Sequence, residues 1–189
     1  MRRNFHLNPH LQLLEQSHER ADTLASQIGL NDFSAGRHIP RDHRNWKTGE
    51  IEVATTWMGL IMPSFADHTA IVTFDMPSRS HERKPLNPIR RTAVARFEKD
   101  SVQPLDILVL DTERRPDPLT DTLGILPWNS PTWHLTLDGT LYTFLSHTMI
   151  MSAFLVFANP NDESLRNLVS QLLKTEKEVR QGGSPFGNP

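Results

Sequence analysis

The chain has 189 residues, 37% of them hydrophobic, so it can bury one sizeable core and is expected to form one domain with extensions. A formal net charge of −2 argues against a protein that coats nucleic acid through its overall charge, so any such contact has to be local. The sequence contains no cysteine, which excludes disulfides, thiolate metal sites and cysteine nucleophiles.

The N-terminal segment predicts an amphipathic helix. Asn8 supplies a capping side chain, and Pro9 suits the first helical position. Apolar residues then recur at three- and four-residue spacing as far as Ile28, and Gly29 stands where a C-terminal cap is expected. This helix covers a sheet, docks on a neighbouring subunit or serves as a dedicated binding helix.

Residues 31–48 are polar and are interrupted by Gly36 and Pro40, which predicts an irregular arm. Its cations and Trp46 fit two interpretations, a solvated linker or an arm that contacts phosphate while the indole stacks on a base. Residues 1–48 are therefore assigned to an N-terminal helix and a polar arm.

Residues 49–158 are predicted to form a β domain. The run Leu105–Leu110 is almost continuously apolar, which favours a central strand covered on both faces. Asp138-Gly139 is the strongest hairpin signal, because both residues tolerate the positive φ of a tight turn. The predicted strands are Gly49–Met62, Thr69–Phe74, Thr92–Phe97, Leu105–Leu110, Trp133–Leu137, Leu141–Leu145 and Met149–Phe157.

A second helix is predicted over residues 159–181, where Asn159-Pro160 repeats the helix-start pattern of the N-terminus. Its apolar face contains Leu165, Leu168 and Leu172, which serve either self-association or the core. Residues 182–189 are expected to be a flexible tail.

Together these elements predict a mainly β fold of the α+β class, with amphipathic helices at the N- and C-terminal ends. Several short strands separated by turn signals favour an antiparallel β-sandwich or a jelly-roll-like domain. A parallel doubly wound fold is disfavoured, because no helices alternate with the central strands.

Cations cluster between residues 79 and 96, where Glu82 is the single acid. Phosphate contact is mostly electrostatic, so this segment is the candidate site for RNA or DNA, with a solvated loop as the alternative. The candidate nucleic-acid-binding residues are Arg79, Arg83, Lys84, Arg90, Arg91 and Arg96.

The sequence offers no residues for which a catalytic role is predicted. Of the nine histidines, only His68, His134 and His147 lie near predicted strands, with Asp106 or Asp111 as possible companions. No two of these three histidines have metal-pair spacing, and neither a phosphate-binding glycine loop nor a nucleophile elbow is present. We therefore expect no metal and no cofactor, and a metal-dependent enzyme is the third and least favoured class.

An apolar strand ends at Asp111, arginines follow at positions 114 and 115, and Thr122-Leu123-Gly124 precedes two further predicted strands. This order resembles the core of the plant-virus cell-to-cell movement proteins over about 40 residues. The resemblance implies a jelly-roll-like domain that binds single-stranded nucleic acid, with Asp111 as the strand-end acid and Gly124 in the Leu-Gly pair, both structural positions.

A second resemblance, to rhabdovirus matrix proteins, depends on the order of three segments, residues 45–53, 89–92 and 157–160. It implies a non-enzymatic protein that self-associates between membrane and nucleocapsid.

The two resemblances imply a non-enzymatic viral protein that binds RNA or ribonucleoprotein and self-associates, of the movement type or, alternatively, a matrix or other structural assembly protein. The expected partners are single-stranded RNA or ribonucleoprotein, further copies of the chain, and a peripheral membrane or host protein. The expected location is the host cytoplasm, the cell periphery or the virion. Because there is no apolar run of about 18 residues and no signal-peptide core, neither secretion nor a transmembrane segment is expected.

Overall fold

A computed structural model of the chain describes residues 9–28, 56–76, 89–113, 139–147, 152–158, 160 and 162–186. Of the sequence predictions, the polar arm, the strand at 133–137, the Asp138-Gly139 turn and Gly124 lie outside the described residues, apart from Gly139 itself. The elements in chain order are α1 (Pro9–Gln27), β1 (Thr56–Pro63), β2 (His68–Met76), β3 (Ile89–Phe97), β4 (Pro104–Glu113), β5 (Thr140–His147), β6 (Ser152–Ala158), α2 (Glu163–Gly182) and β7 (Ser184–Pro185).

The strands form one seven-stranded sheet in the order β6-β5-β1-β2-β3-β4-β7. Every neighbouring pair is antiparallel, and β2 lies at the centre. The predicted class, mainly β with a helix near each end of the chain, is confirmed. The two-sheet sandwich is not confirmed, because the described strands all belong to this single sheet.

Alternation of side chains along each strand divides the core between the two faces of the sheet. On one face, α1 contributes Ala21, Leu24 and Ile28 to a cluster with buried strand residues. The strand residues of this cluster are Met58, Leu60, Met62, Ala70, Val72, Ala93, Ala95, Phe97 and Leu145. Helix α1 therefore covers the sheet, as one of its three sequence interpretations predicted.

Helix α2 covers the opposite face with Leu168, Leu172 and Val179. The sheet contributes Trp57, Ile61, Ile71, Val94 and Phe144 to this second cluster. Gly59 has no side chain and so leaves a gap in the apolar surface of β1. Leu172 lies in this gap, since a Cβ built at Gly59 would lie 2.5 Å from Cδ1 of Leu172. The leucine fills the space that the missing side chain leaves, which fixes the position of α2 over β1.

Helix α2 begins and ends close to the predicted residues. Asp162 is the N-cap, and its carboxylate accepts hydrogen bonds from the amides of Ser164 and Leu165. At the other end, the amide of Gly183 donates to the carbonyl of Val179 over 2.7 Å. Residues 184–186, placed in a flexible tail by the sequence analysis, instead pair with the middle of β4.

The predicted central position of Leu105–Leu110 is wrong, because β4 lies second from the edge of the sheet. Only the two residues of β7 cover its outer side, and Leu105 retains 49% of its exposure. The centre belongs to β2, where Ala70, Ile71 and Val72 are fully buried. A continuous apolar run indicates that both faces are covered, but it does not indicate which strands are neighbours.

Within the residues described, neither helix combines the length and the apolar character needed to cross a bilayer.

Candidate functional site

The predicted basic cluster is divided by the pleat of β3. Arg79, Arg83 and Lys84 lie outside the described residues. Arg91 has the same parity as Ala93 and Ala95 and so lies on the α1 face of the sheet. Arg90 and Arg96 have the parity of Val94 and lie on the α2 face. These three arginines are therefore not one surface patch, although they are close in sequence.

Two of the β3 arginines form ion pairs across to β4. Arg91 donates from Nε and Nη2 to the two carboxylate oxygens of Asp111, each over 2.7 Å, and this hydrogen bonding raises the pKa of Arg91. Arg96 lies 3.0 Å from Asp106 and 3.9 Å from Asp67. Asp111 thus acts as the cross-strand partner of Arg91. Such exposed pairs are typically worth about 0–1 kcal/mol, so a phosphate can compete for either arginine.

The predicted self-association leucines lie inside the molecule. Leu168 and Leu172 are 1% and 2% exposed, and Leu165 packs at the margin of the same cluster. Packing against the sheet therefore accounts for this apolar stripe without a second copy of the chain. Leu173, the residue that follows Leu172, is turned away from the sheet and is 44% exposed.

A buried cation joins α1 to the end of the sheet. Arg20 is 0% exposed, and its guanidinium lies over the ring of Phe97, 5.3 Å from the centroid. Three hydrogen bonds join it to the turn that follows β3. Nε donates to the carbonyl of Ser101 over 3.0 Å, and Nη2 donates to the carbonyls of Glu98 and Lys99 over 3.2 and 2.7 Å.

The remaining Arg20 contact specifies the tautomer of His68, the first residue of β2. Nη1 of Arg20 lies 2.6 Å from Nδ1 of His68. Because a guanidinium can only donate, Nδ1 must accept, so the ring is neutral and carries its proton on Nε2. Burial, together with the charges of Arg20 and Lys99, lowers the pKa of His68 to about 4, while Asp100 and Asp67 oppose the shift. Burial also lowers the pKa of Arg20, which Asp100 partly offsets.

The sequence analysis missed the Arg20–His68 contact. The sequence spacing indicates that Arg20 is buried, because Ser17, Arg20 and Leu24 follow one another at three and four residues and so share the buried face of α1. The carbonyl acceptors lie in a turn about 80 residues further along the chain. No sequence pattern indicates that this turn contacts α1. This cluster stabilises the attachment of α1 and leaves His68 only 7% exposed, so it is structural in character.

Among the described residues, the most exposed large apolar side chain lies at the same end of the sheet. Phe65, in the turn between β1 and β2, is 86% exposed. The turn itself is held firmly at Ser64, whose amide and hydroxyl both donate to the carbonyl of Gly139, over 3.0 and 2.8 Å. Nζ of Lys99 donates to the carbonyl of Ser64 over 3.2 Å. The aromatic ring is therefore presented to solvent from a well-anchored turn.

The histidines and acids of the described segments do not form a metal centre. His134 and the side chain of His147 lie outside the part of the chain that the structure describes. Among the residues that are described, no three His, Asp or Glu side chains converge as a metal site would require.

The fold and these features define an antiparallel-sheet protein with one helix on each face, a buried cation on the α1 side, and exposed apolar side chains on well-ordered elements. Comparisons with protein-family models, with curated proteins and with solved structures found no match.

Proposed function

We propose that this chain is a non-enzymatic viral assembly protein that self-associates and contacts RNA or ribonucleoprotein. The observation that carries the proposal is the pair of apolar side chains Phe65 and Leu173, which lie outside the filled core. Phe65 on its anchored turn and Leu173 on α2 are 86% and 44% exposed, although each face of the sheet already has a helix to cover it. Apolar side chains that stay exposed outside a filled core are available for burial against a partner, which supports the self-association part of the proposal.

Of the two viral types, the movement type carries an expectation about the fold. The movement-protein resemblance implies a jelly roll, which requires two packed sheets. The described strands instead form one sheet between two helices. We therefore favour the structural assembly type over the movement type, and we expect the chain to act with further copies of itself near ribonucleoprotein or at a membrane surface.

RNA contact is assigned mainly to the sequence segment between β2 and β3. Arg83 and Lys84 belong to this segment, which lies outside the described residues and carries the densest cluster of cations in the sequence. Arg91 and Arg96 contribute less in the proposal, because each would have to exchange a carboxylate partner for a phosphate. This ranking separates the candidate cations into a contacting group in the segment between β2 and β3 and a paired group on β3.

Retention on single-stranded RNA at increasing salt concentration tests this assignment. Replacing both Arg83 and Lys84 by Gln should reduce the slope of log affinity against log salt by roughly 1.4, at about 0.7 for each phosphate that is no longer neutralised. The paired charge variant Arg180→Gln on α2 is the matched control, since Arg180 bonds Glu176 and lies outside the basic segment. An equal loss in the control, or no retention of the parent chain at low salt, would contradict RNA binding.

Self-association has its own test, the sedimentation of the purified parent chain over a wide concentration range. We expect species larger than a monomer that grow as the concentration rises. A monomer at every concentration would contradict the assembly part of the proposal, and RNA contact would then be the only function left to test.

A further inference from the structure

We infer that the contact between Arg20 and His68 is an acid latch, which holds α1 on the sheet while His68 is neutral and releases the helix when the ring is protonated. Release uncovers the apolar face of the sheet under α1 and leaves the strands and α2 in place. The acid latch is independent of the proposed self-association and RNA contact, because all of its parts lie within one copy of the chain.

The geometry of the contact permits only the neutral form of His68. Nη1 of Arg20 lies 2.6 Å from Nδ1 of His68, and a guanidinium has hydrogen-bond donors only. A protonated imidazole carries a hydrogen on both ring nitrogens, so Nδ1 can no longer accept. Two positive charges then face each other across the same short distance. Because Arg20 is 0% and His68 only 7% exposed, water screens this repulsion poorly.

The charged groups that face His68 come from three elements. Arg20 of α1 and Lys99 of the turn after β3 disfavour a positive charge on the ring. Asp100 of the same turn and Asp67, the residue before β2, favour that charge. Burial and the two cations outweigh the two carboxylates, so the pKa of His68 falls to about 4. Removal of α1 takes away both the cover and the nearest cation, and the ring then accepts a proton more readily.

Neither Arg20 nor His68 can move aside without the element that carries it. His68 begins β2 and lies opposite Phe97 in the β2–β3 register, so the ladder holds its backbone. The guanidinium lies over the ring of Phe97. Its other nitrogens donate to the backbone carbonyls of Ser101, Glu98 and Lys99. When Arg20 withdraws from a protonated His68 it therefore leaves this whole set of contacts, and α1 moves with it.

Helix α1 can leave the sheet without breaking any strand pairing. It precedes all the strands in the chain and belongs to no ladder. Its apolar share of the core consists of Ala21, Leu24 and Ile28. Helix α2 packs on the opposite face through an apolar cluster whose described members carry no group that titrates between pH 7 and 4. Protonation of His68 therefore acts on the attachment of α1 and not on that of α2.

Single introduced cysteines test the acid latch, because the chain has none of its own. Ala21→Cys places a thiol on the buried face of α1, and Val179→Cys places one on the buried face of α2. A pyridyl disulfide measures how strongly each thiol is protected, relative to free cysteine at the same pH. Linkage between the pKa values of 6.5 and about 4 predicts that exposure at position 21 rises about 30-fold at pH 5 and about 150-fold at pH 4, relative to pH 7 or above. The thiol at position 179 should stay protected over this range.

The matched variant is His68→Asn, whose amide oxygen accepts from Arg20 at every pH. In this background the thiol at position 21 should remain protected in acid. Nitrogen-15 NMR of the His68 ring in the parent chain gives a second readout that needs no variant. At neutral pH the proton should lie on Nε2, and the ring should become cationic over the same pH range in which the thiol at position 21 becomes exposed.

Four outcomes would overturn the acid latch. Equal loss of protection at positions 21 and 179 would show that the whole fold opens in acid. A thiol at position 21 that stays protected at pH 4 would show that α1 is not released. The same loss in the His68→Asn background, or a proton on Nδ1 at neutral pH, would show that the Arg20–His68 contact does not hold the helix.

Discussion

The two helices cover opposite faces of one sheet in different ways. On the α2 side the contacts are apolar, and the buried polar pair there is neutral, with the hydroxyls of Thr73 and Thr92 3.1 Å apart. On the α1 side a guanidinium and an imidazole are buried together, and Arg20 replaces its lost hydration with three carbonyls, His68 and the ring of Phe97. The attachment of α2 therefore depends on the fit of apolar side chains. The attachment of α1 depends also on the protonation state of His68.

The α1 side is also the less completely satisfied of the two. The hydroxyls of Ser17 on α1 and Thr143 on β5 are buried on this side, and the described part of the chain supplies neither with a hydrogen-bond partner. Each unpaired buried polar group costs about 1–3 kcal/mol. The contrast predicts that acid loosens the α1 layer before the α2 layer.

The largest expected effect belongs to the α2 side. Leu172→Ala should lower the free energy of unfolding by about 2–5 kcal/mol, because the leucine is 2% exposed and fills the gap at Gly59. Urea unfolding monitored by tryptophan fluorescence measures the change. Its neighbour is the matched control, since Leu173→Ala at an exposed position should stay within about 0.5 kcal/mol. Equal losses in the two variants would contradict the packing of α2.

Acid should act on the α1 side through His68. In the unfolded chain His68 titrates near its ordinary pKa of 6.5, whereas the folded value is about 4. Between these values the unfolded state binds more protons, so the free energy of unfolding falls as the pH falls from about 6.5 to about 4. The full loss is about 3 kcal/mol, and below pH 4 this group causes no further change. Urea unfolding at several pH values measures it.

The control for this titration is His68→Asn, whose side-chain oxygen can accept from Arg20 and does not titrate. The difference between parent and variant isolates His68 from the other groups that face it, which are Lys99, Asp100 and Asp67. That difference should depend on pH only in the stated window. A parallel pH dependence of the two chains would show that the Arg20–His68 contact does not govern acid stability.

How much of this contrast the sequence could predict differs between the two sides. The α2 side follows from local patterns, because leucine spacing marks the buried face and Asp162 caps the helix. Its gap at Gly59 does not follow, since a glycine inside a strand indicates a close approach without naming the partner. The order of the strands could not be predicted for the same reason. The sequence of Leu105–Leu110 indicates a covered strand, but it does not name the strands beside it, and the predicted central position was wrong.

The α1 side could be predicted only in outline. Helical spacing identifies the face of α1 that is buried, but the partners of Arg20 are backbone carbonyls, which leave no trace in the residue types. The basic cluster shows the converse case. Arg91 and Arg96 are visible as cations in the sequence, yet their partners Asp111 and Asp106 become neighbours only through the β3–β4 register. Local chemistry is therefore predictable here, and pairing between distant segments is not.

The smallest of the three expected effects also tests the α2 side. Gly59→Ala places a methyl group where Cδ1 of Leu172 now lies, and displacing that buried leucine should cost about 1–3 kcal/mol. In a Leu172→Ala background the methyl group meets no obstacle, so the same substitution should cost nothing measurable. Urea unfolding of the parent, both single variants and the double variant completes the cycle. Additive costs would show that Leu172 does not occupy the gap over β1, because residues in direct contact are expected to be coupled.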